Sequence, residues 1–198
     1  MSELAGRLAV VKVPGTAVVM TAEATTTTDD ITYQITNAVK QVLDRTATIT
    51  VKDGGVATSE AYTLNRLNGT VTFETKDETR VITIDGKYLP MSAAAGAHQY
   101  NYNKSVELHD VTAFLATHKA RIAGQKWAAG TLSSWDINDY FSDALTAGDP
   151  VVLEFRGQTA GEPERVWALL ESSEMAAAIA DAQSETVTFI STDELLNL

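Results

Sequence analysis

The sequence is notable first for what it lacks. None of the 198 residues is cysteine, so disulfides, thiol nucleophiles and cysteine-ligated metal sites are excluded. No apolar run approaches the roughly 20 residues that cross a bilayer, so we expect no membrane insertion. The apolar stretch Leu8–Val13 is interrupted by Lys12 and followed by Pro14-Gly15. That pattern is unlike a secretory leader, and we expect a protein made in the cytoplasm.

Sequence motifs for catalysis are missing too. The glycines form no dinucleotide or phosphate-binding loop, and no serine nucleophile elbow is present. His98, His109 and His118 have a spacing that matches no familiar metal motif. Asp136 and Asp139 are better explained as the cap and first turn of a helix than as an acid–base pair. We therefore predict no catalytic residue, no metal, no cofactor and no enzyme activity.

Positive charge is scarce in one part of the chain. Residues 139–198 contain 12 acidic residues and only two basic ones, Arg156 and Arg165, whereas residues 1–138 are almost balanced. Such a segment repels phosphate, which argues against sequence-specific nucleic-acid binding. Two interpretations stay open: ordinary solubility, or a surface that must not adhere to DNA.

Turn-punctuated alternation is what the sequence does contain. The 46–56 run alternates and breaks at Asp53-Gly54-Gly55, and the Tyr62–Phe73 run repeats the pattern with a turn at Asn68-Gly69. A third strand is predicted over Arg80–Asp85. The 44–90 region is therefore predicted to be a β-hairpin insertion or extension within a single domain spanning 1–198.

Further strands and helices are predicted on both sides of this region. Short strands are predicted at 31–35, 151–156, 165–170 and 185–190, and a long strand from His98, with polar Thr25–Thr28 as a loop. Helices are predicted from Asp136 to Gly148, over 110–118, and over the alanine-rich 173–182. The predicted fold class is mainly β (α+β): two packed antiparallel sheets forming a sandwich or open barrel flanked by one α-helix.

An ordered set of segments in the second half carries a resemblance to a known family. The segments are Leu108–Thr112, Lys119–Lys126, Gly130–Trp135, a helix with Tyr140, Phe141 and Leu145, Gly148–Glu154, Val166–Leu170 with Ser172, and Ser184–Phe189. In this order they resemble the major tail tube proteins of long non-contractile tailed phages, within the superfamily that includes type VI secretion tubes. The departure is at 111–118, which is predicted here to be helical.

The resemblance implies a structural virion protein that self-assembles into stacked hexameric rings. It implies as partners a tape measure protein, tail terminator and tail-tip proteins, and double-stranded DNA that passes through without specific binding. Assembly would take place in the host cytoplasm and the product would be the virion tail. In such a tube, Glu154 and Glu171 are the first candidates to face the lumen, where carboxylates would let DNA slide.

The hairpin at Lys52, Asp53, Gly54, Gly55 and Tyr62 is the candidate contact between successive rings, with decoration of the outside of the tube as the other possibility. The leading alternative function is a β-sandwich module that binds carbohydrate or a receptor. It would need an exposed platform of aromatic residues, for which Trp127, Trp135 and Trp167 are the candidates. A third alternative, an enzyme, would need polar groups that converge in a pocket.

Overall fold

The computed structural model describes residues 10–94, 96–112, 117–135, 139–156, 163–176 and 183–195. In these ranges, no helix combines the length and the hydropathy needed to cross a membrane. One α-helix is described, α1 (Asp139–Ala147). The strands are β1 (Val10–Pro14), β2 (Val18–Thr27), β3 (Thr32–Ile35), β4 (Thr50–Asp53), β5 (Val56–Ala57), β6 (Tyr62–Asn65), β7 (Thr70–Phe73), β8 (Ile82–Tyr88), β9 (Met91–Ala93), β10 (Ala97–Asp110), β11 (Arg121–Ser134), β12 (Val151–Arg156), β13 (Glu164–Ala176) and β14 (Ser184–Leu195).

The strands form two antiparallel sheets, each curled into a half-barrel. The strand orders are β10-β11-β14-β13-β12-β1-β9 and β5-β4-β8-β2-β3-β7-β6. The predicted class, mainly β with two antiparallel sheets and a helix, is confirmed. The chain divides into two compact units, one of Lys12–Ala93 and one of Met1–Val11 with Ala94–Leu198. We call them the 12–93 unit and the 94–198 unit. The 44–90 region belongs to the 12–93 unit, and its role as an insertion in a single domain stays a prediction.

The 12–93 unit is built on alternating threonine-rich strands. Their apolar side chains point to one face, as the period of two requires. Tyr33 and Phe73 meet edge to face there, with ring centroids 5.8 Å apart. The buried core consists of Met20, Tyr33, Ile35, Leu43, Val51, Val71, Phe73, Ile82 and Ile84.

The predicted hairpin turns are present in this unit. Gly54 and Gly55 have φ angles of +55° and +86°, the left-handed conformation that a tight turn between β4 and β5 requires. Two details of the prediction are wrong. β8 continues through Gly86 to Tyr88 instead of ending at Asp85, because its pairing with β2 extends there. Thr25–Thr27 are not loop, because they pair with β3 as the end of β2.

In the 94–198 unit, the strand predicted at 151–156 is confirmed as β12, and two of the three predicted helices change. Residues 173–176 are strand, paired with 184–187 of β14, and 177–182 lie outside the described residues. Residues 111–112 and 117–120 are not helical, because they join β10 to β11 at the end of a long hairpin; 113–116 lie outside the described residues. Helix α1 ends before Gly148, as predicted, whereas its predicted cap, Asp136, lies outside the described residues.

The sheet of the 94–198 unit is curled around an aromatic core. Tyr100 of β10 lies 5.2 Å from Phe155 of β12 between ring centroids, although three strands separate β10 from β12 in the sheet order. Tyr102 stacks on Phe155 at 4.9 Å, and Phe155 on Phe189 at 5.5 Å. Burial raises the pKa of Tyr102 to about 12. The curl leaves the opposite face of the same strands available for polar side chains.

Candidate functional site: a polar sheet face and a projecting hairpin

Strand register in the 94–198 unit aligns small polar side chains across four strands. Asn101 lies opposite Thr131, Thr131 opposite Thr188, and Thr188 opposite Ser172. Because paired residues of antiparallel strands share a face, these side chains form one surface. We call it the hydroxyl face: Gln99, Asn101, Asn103, Ala129, Thr131, Ser133, Ser172, Glu174, Thr186 and Thr188.

The hydroxyl face is almost uncharged. Ser133 Oγ and Thr186 Oγ1 are 3.1 Å apart, and Ser172 Oγ and Thr188 Oγ1 are 2.7 Å apart, so these hydroxyls hydrogen-bond to one another across the strands. Of the ten residues that define this face, Glu174 alone is ionisable. A surface without fixed cations offers phosphate no ion pair, so it has little electrostatic affinity for DNA.

The reverse side of these strands explains why the polar face is open. Tyr100 lies opposite Leu132, and Gly130 opposite Phe189, on the core side. A Cβ atom at Gly130 would lie 2.0 Å from the carbonyl oxygen of Asn101 and 2.8 Å from the Phe189 ring. The close approach of β10 to β11 therefore requires glycine, and the apolar side chains are committed to the core.

Glu154, predicted to face a lumen, is buried instead. Its side chain is 1% exposed, and its two carboxylate oxygens accept hydrogen bonds from Arg165 Nε at 2.8 Å and Arg156 Nε at 2.7 Å. The Arg165 side chain is only 4% exposed. A carboxylate enclosed and paired in this way cannot present charge to a channel, so the assignment of Glu154 was wrong.

Glu171 is exposed, as a channel-facing or interface residue must be. It is the additional residue of a bulge in β13, where the pairing with β14 shifts between Leu170 and Ser172. The bulge places it outside the regular alternation that defines the hydroxyl face. Its predicted position in a lumen stays a prediction.

The hairpin of β10 and β11 projects beyond the sheet. β11 pairs with β14 only over Ala129–Ser134, whereas its pairing with β10 continues to Arg121. We call residues 106–112 and 117–127 the distal hairpin. Large apolar side chains are exposed on it: Val106 (42%), Leu108 (54%), Val111 (47%), Ile122 (54%) and Trp127 (40%).

The end of the distal hairpin is held by local hydrogen bonds. Val111 N donates to Ala120 O at 2.9 Å, and Thr112 N donates to the Asp110 carboxylate at 2.9 Å. The Thr112 hydroxyl also donates to this carboxylate, and these two bonds, the hydroxyl first, lower the pKa of Asp110. Asp110, predicted to cap a helix, therefore stabilises a hairpin turn instead. The sequence reasoning missed the distal hairpin, although alternation continued through Val106 and Leu108.

The hairpin predicted to contact a neighbouring ring is tied down within the chain. The Lys52 ammonium pairs with Asp85, and Asp53 Oδ1 accepts a hydrogen bond from Val81 N at 2.9 Å. Tyr62 packs against Phe73, with ring centroids 6.0 Å apart. Gly54 and Gly55 alone have open space around their Cα atoms. A role for these five residues between rings stays a prediction, and it now concentrates on the Gly54-Gly55 turn.

Asp85 should be the residue that stabilises this hairpin most. Its carboxylate pairs with Lys52 and accepts a hydrogen bond at 2.6 Å from Ala22 N, in a bulge where Ala22 has a φ of +49°. Lys52 first, then the Ala22 N–H, lower the pKa of Asp85. Asp85→Asn should cost about 1 kcal/mol of unfolding free energy at pH 7.

The pH dependence of this effect follows from the direction of the shift. A lowered carboxyl pKa contributes stability above the unfolded-state pKa, and the contribution is lost as the pH falls through the folded-state value. Urea unfolding should therefore separate Asp85→Asn from the parent protein at pH 7 and not near pH 2. The exposed Glu74→Gln in the same unit is the control, and an equal effect of both changes would contradict the assignment.

The side chains predicted as alternative binding groups are dispersed. Trp127 and Trp135 are 40% and 54% exposed, whereas Trp167 is buried at 4%. His98 stacks on Trp135 at 3.9 Å. In the described part of the chain, no three acidic or histidine side chains lie close enough to hold a metal ion. One open groove of about 420 Å³ is lined by Glu107, Gln125, Lys126, Trp127, Ser191 and Thr192.

Comparisons with known proteins give distant matches. No family model matches the chain, and no curated protein matches it. Among solved structures, a chain from the virion of a native gene transfer agent particle is 13% identical, with a TM-score of 0.48, over 53% of this chain and 86% of that one. A chain from the tail of an empty gene transfer agent particle, obtained by helical refinement with C6 symmetry, is 14% identical, with a TM-score of 0.48, over 54% of this chain and 85% of that one. A likeness at this level does not establish a shared fold, and function is inferred below from the residues of this chain.

Proposed function

We propose that this chain is a self-assembling structural subunit of a phage-type tail tube, in which hexameric rings stack into a conduit for genome delivery. The observation that carries the proposal is the distal hairpin. It projects from its sheet with five large apolar side chains exposed. The ring and the tube are what the resemblance of the 108–189 segments to tail tube proteins implies.

Exposed apolar residues on one projecting element favour association. Contiguous apolar surface of this kind is uncommon on monomers and marks interaction sites. β10, which forms one side of the hairpin, is also the terminal strand of its sheet, and its long edge would otherwise invite uncontrolled pairing. A closed ring of identical subunits covers both the apolar side chains and the strand edge.

The hydroxyl face supplies a surface suited to a conduit. Hydroxyl and amide groups that bond to one another leave no fixed cation to hold a polyanion, so DNA could pass without specific binding. In this proposal a tape measure protein occupies the tube first, and terminator and tip proteins close its ends. The tube is assembled in the host cytoplasm as part of the virion tail, and the subunit has no catalytic role.

The carbohydrate-binding or receptor-binding alternative is weaker on geometry. Its aromatic platform would require exposed tryptophans close together. Trp127 and Trp135 lie eight positions apart along one extended segment, which corresponds to about 26 Å. Trp167 is buried, and the two exposed rings therefore cannot stack on one sugar.

Purified protein should form rings or hollow tubes at high concentration, seen by negative-stain electron microscopy, with a matching rise in mass in solution. The double variant Leu108→Ser/Ile122→Ser should stay monomeric, because it removes two apolar side chains of the distal hairpin without touching the buried core. Val19→Ser, at a site 67% exposed in the other unit, is the control and should assemble normally. Parent protein that stays monomeric even when seeded with tail tips would contradict the proposal.

A further inference from the structure

Two exposed patches of opposite charge lie at opposite ends of one sheet in the 94–198 unit. The groove patch consists of Trp127, Lys126 and their neighbours in the groove of about 420 Å³. The β13-end patch consists of Glu174 and Met175, and Met175 is 69% exposed. Each patch combines one large apolar side chain with one formal charge, and the signs differ.

Strand register shows that one molecule cannot bring these patches together. Met175 lies opposite Glu185, which lies opposite Ser134 of β11. Trp127 is seven residues away from Ser134 along β11, which corresponds to about 23 Å. Because both patches are fixed to the same hydrogen-bonded sheet, a contact between them must join two copies.

Charge complementarity selects the second copy as the occupant. The segment 106–127 holds three basic residues, Lys119, Arg121 and Lys126, and two acidic ones, so it is net positive. Residues 139–198, which contain the β13-end patch, hold 12 acidic residues against two basic ones. A basic segment on an otherwise acidic chain is attracted to another copy of that chain.

Building on the proposed assembly function, we propose that Met175 of one copy enters the groove of the next copy and packs on Trp127, while Lys126 pairs with Glu174. A thioether against an indole ring is a favourable contact, and a flexible methionine adapts to an open groove. Since the two patches differ and lie at opposite ends of the sheet, the contact is head to tail. Repetition of a head-to-tail contact produces a ring or a stack, not an isolated dimer.

A charge exchange tests the pairing. Lys126→Glu and Glu174→Lys should each raise the protein concentration needed for assembly by about tenfold, and the double exchange should restore it to within about threefold of the parent value. Glu78→Lys, at a side chain 75% exposed in the other unit, is the control for net charge and should assemble like the parent. Single variants that assemble normally, or a double variant no better than the singles, would overturn the proposal.

Cross-linking tests the apolar half of the contact. The chain has no cysteine, so a mixture of Met175→Cys and Gln125→Cys proteins can form a disulfide only through the introduced residues. Oxidised mixtures under assembly conditions should give covalent dimers joining one copy of each variant, and neither variant alone should do so efficiently. Parent protein that never assembles overturns the proposed function, whereas assembly without this cross-link overturns only the Met175–Trp127 contact.

Discussion

Arg165→Met should lower the free energy of unfolding of the 94–198 unit by about 3 kcal/mol, the scale expected when one partner of a buried ion pair is removed. The Glu154 side chain is 1% exposed and that of Arg165 is 4% exposed, so the variant leaves a carboxylate enclosed with reduced compensation. Arg156 still bonds to Glu154, but its side chain is 46% exposed and shares its charge with solvent. Urea unfolding at pH 7 measures the change.

The double variant Glu154→Leu/Arg165→Met separates charge from packing. It removes both charges and keeps comparable volume, so its stability should lie within about 1 kcal/mol of the parent value. Arg156→Met is the control for a half-exposed partner and should have a smaller effect than Arg165→Met. A double variant as unstable as Arg165→Met would show that shape, and not the unpaired charge, causes the loss.

Local turn chemistry explains why the 12–93 unit was largely predictable. Asp53-Gly54-Gly55 encodes a turn through backbone freedom alone, and the structure has positive φ angles at both glycines. The end of β8 was not encoded in this way. Asp85-Gly86 looks like another turn, but pairing with β2 extends the strand through it.

The helices predicted over 110–118 and 173–182 show where local propensity is insufficient. Alanine-rich 173–176 pair with β14, because that pairing satisfies the backbone of a strand that begins in the buried core. Asp110 at the end of β10 has the form of a helix cap, but it bonds Thr112 within a hairpin turn. A hairpin that projects from its sheet depends on partners that the sequence does not name.

The candidate surfaces were predictable only in part. The alternation of β10 correctly separated Tyr100 and Tyr102 from Asn101 and Asn103. The hydroxyl face, however, exists only once register places Thr131 between Asn101 and Thr188. Alternation also assigned Glu154 to an outer face, whereas β12 is buried on both faces from Val151 to Phe155. The partner of Glu154, Arg165, resembles any other strand charge in sequence, so the ion pair could not be inferred.

These positions change how an acidic chain would carry DNA. The notebook of charges in the sequence favours repulsion by carboxylates, but Glu154 is enclosed and the hydroxyl face holds one carboxylate, Glu174, among its ten defining residues. Low friction then depends mainly on the absence of cations on that face. Acidic residues elsewhere keep the outer surface from binding nucleic acid.

Thr131→Lys should therefore slow DNA ejection by at least about tenfold in particles that carry the variant subunit. Thr131 lies at the centre of the hydroxyl face, between Asn101 and Thr188, so a lysine there adds one cation per subunit. DNA carries one negative charge per about 1.7 Å of axis, and each new ion pair must release bound counterions. The delay should shrink as salt rises, which a steric obstruction would not do.

Three comparisons make this result specific to charge on the hydroxyl face. Thr131→Gln has similar length without charge and should eject DNA at close to the parent rate. Thr131→Glu should also remain close, because it adds no attraction for phosphate. Thr63→Lys, on an exposed position of β6 in the other unit, controls for net charge. Intact tubes with Thr131→Lys that eject at the parent rate at low salt would show that this face does not line the path of the DNA.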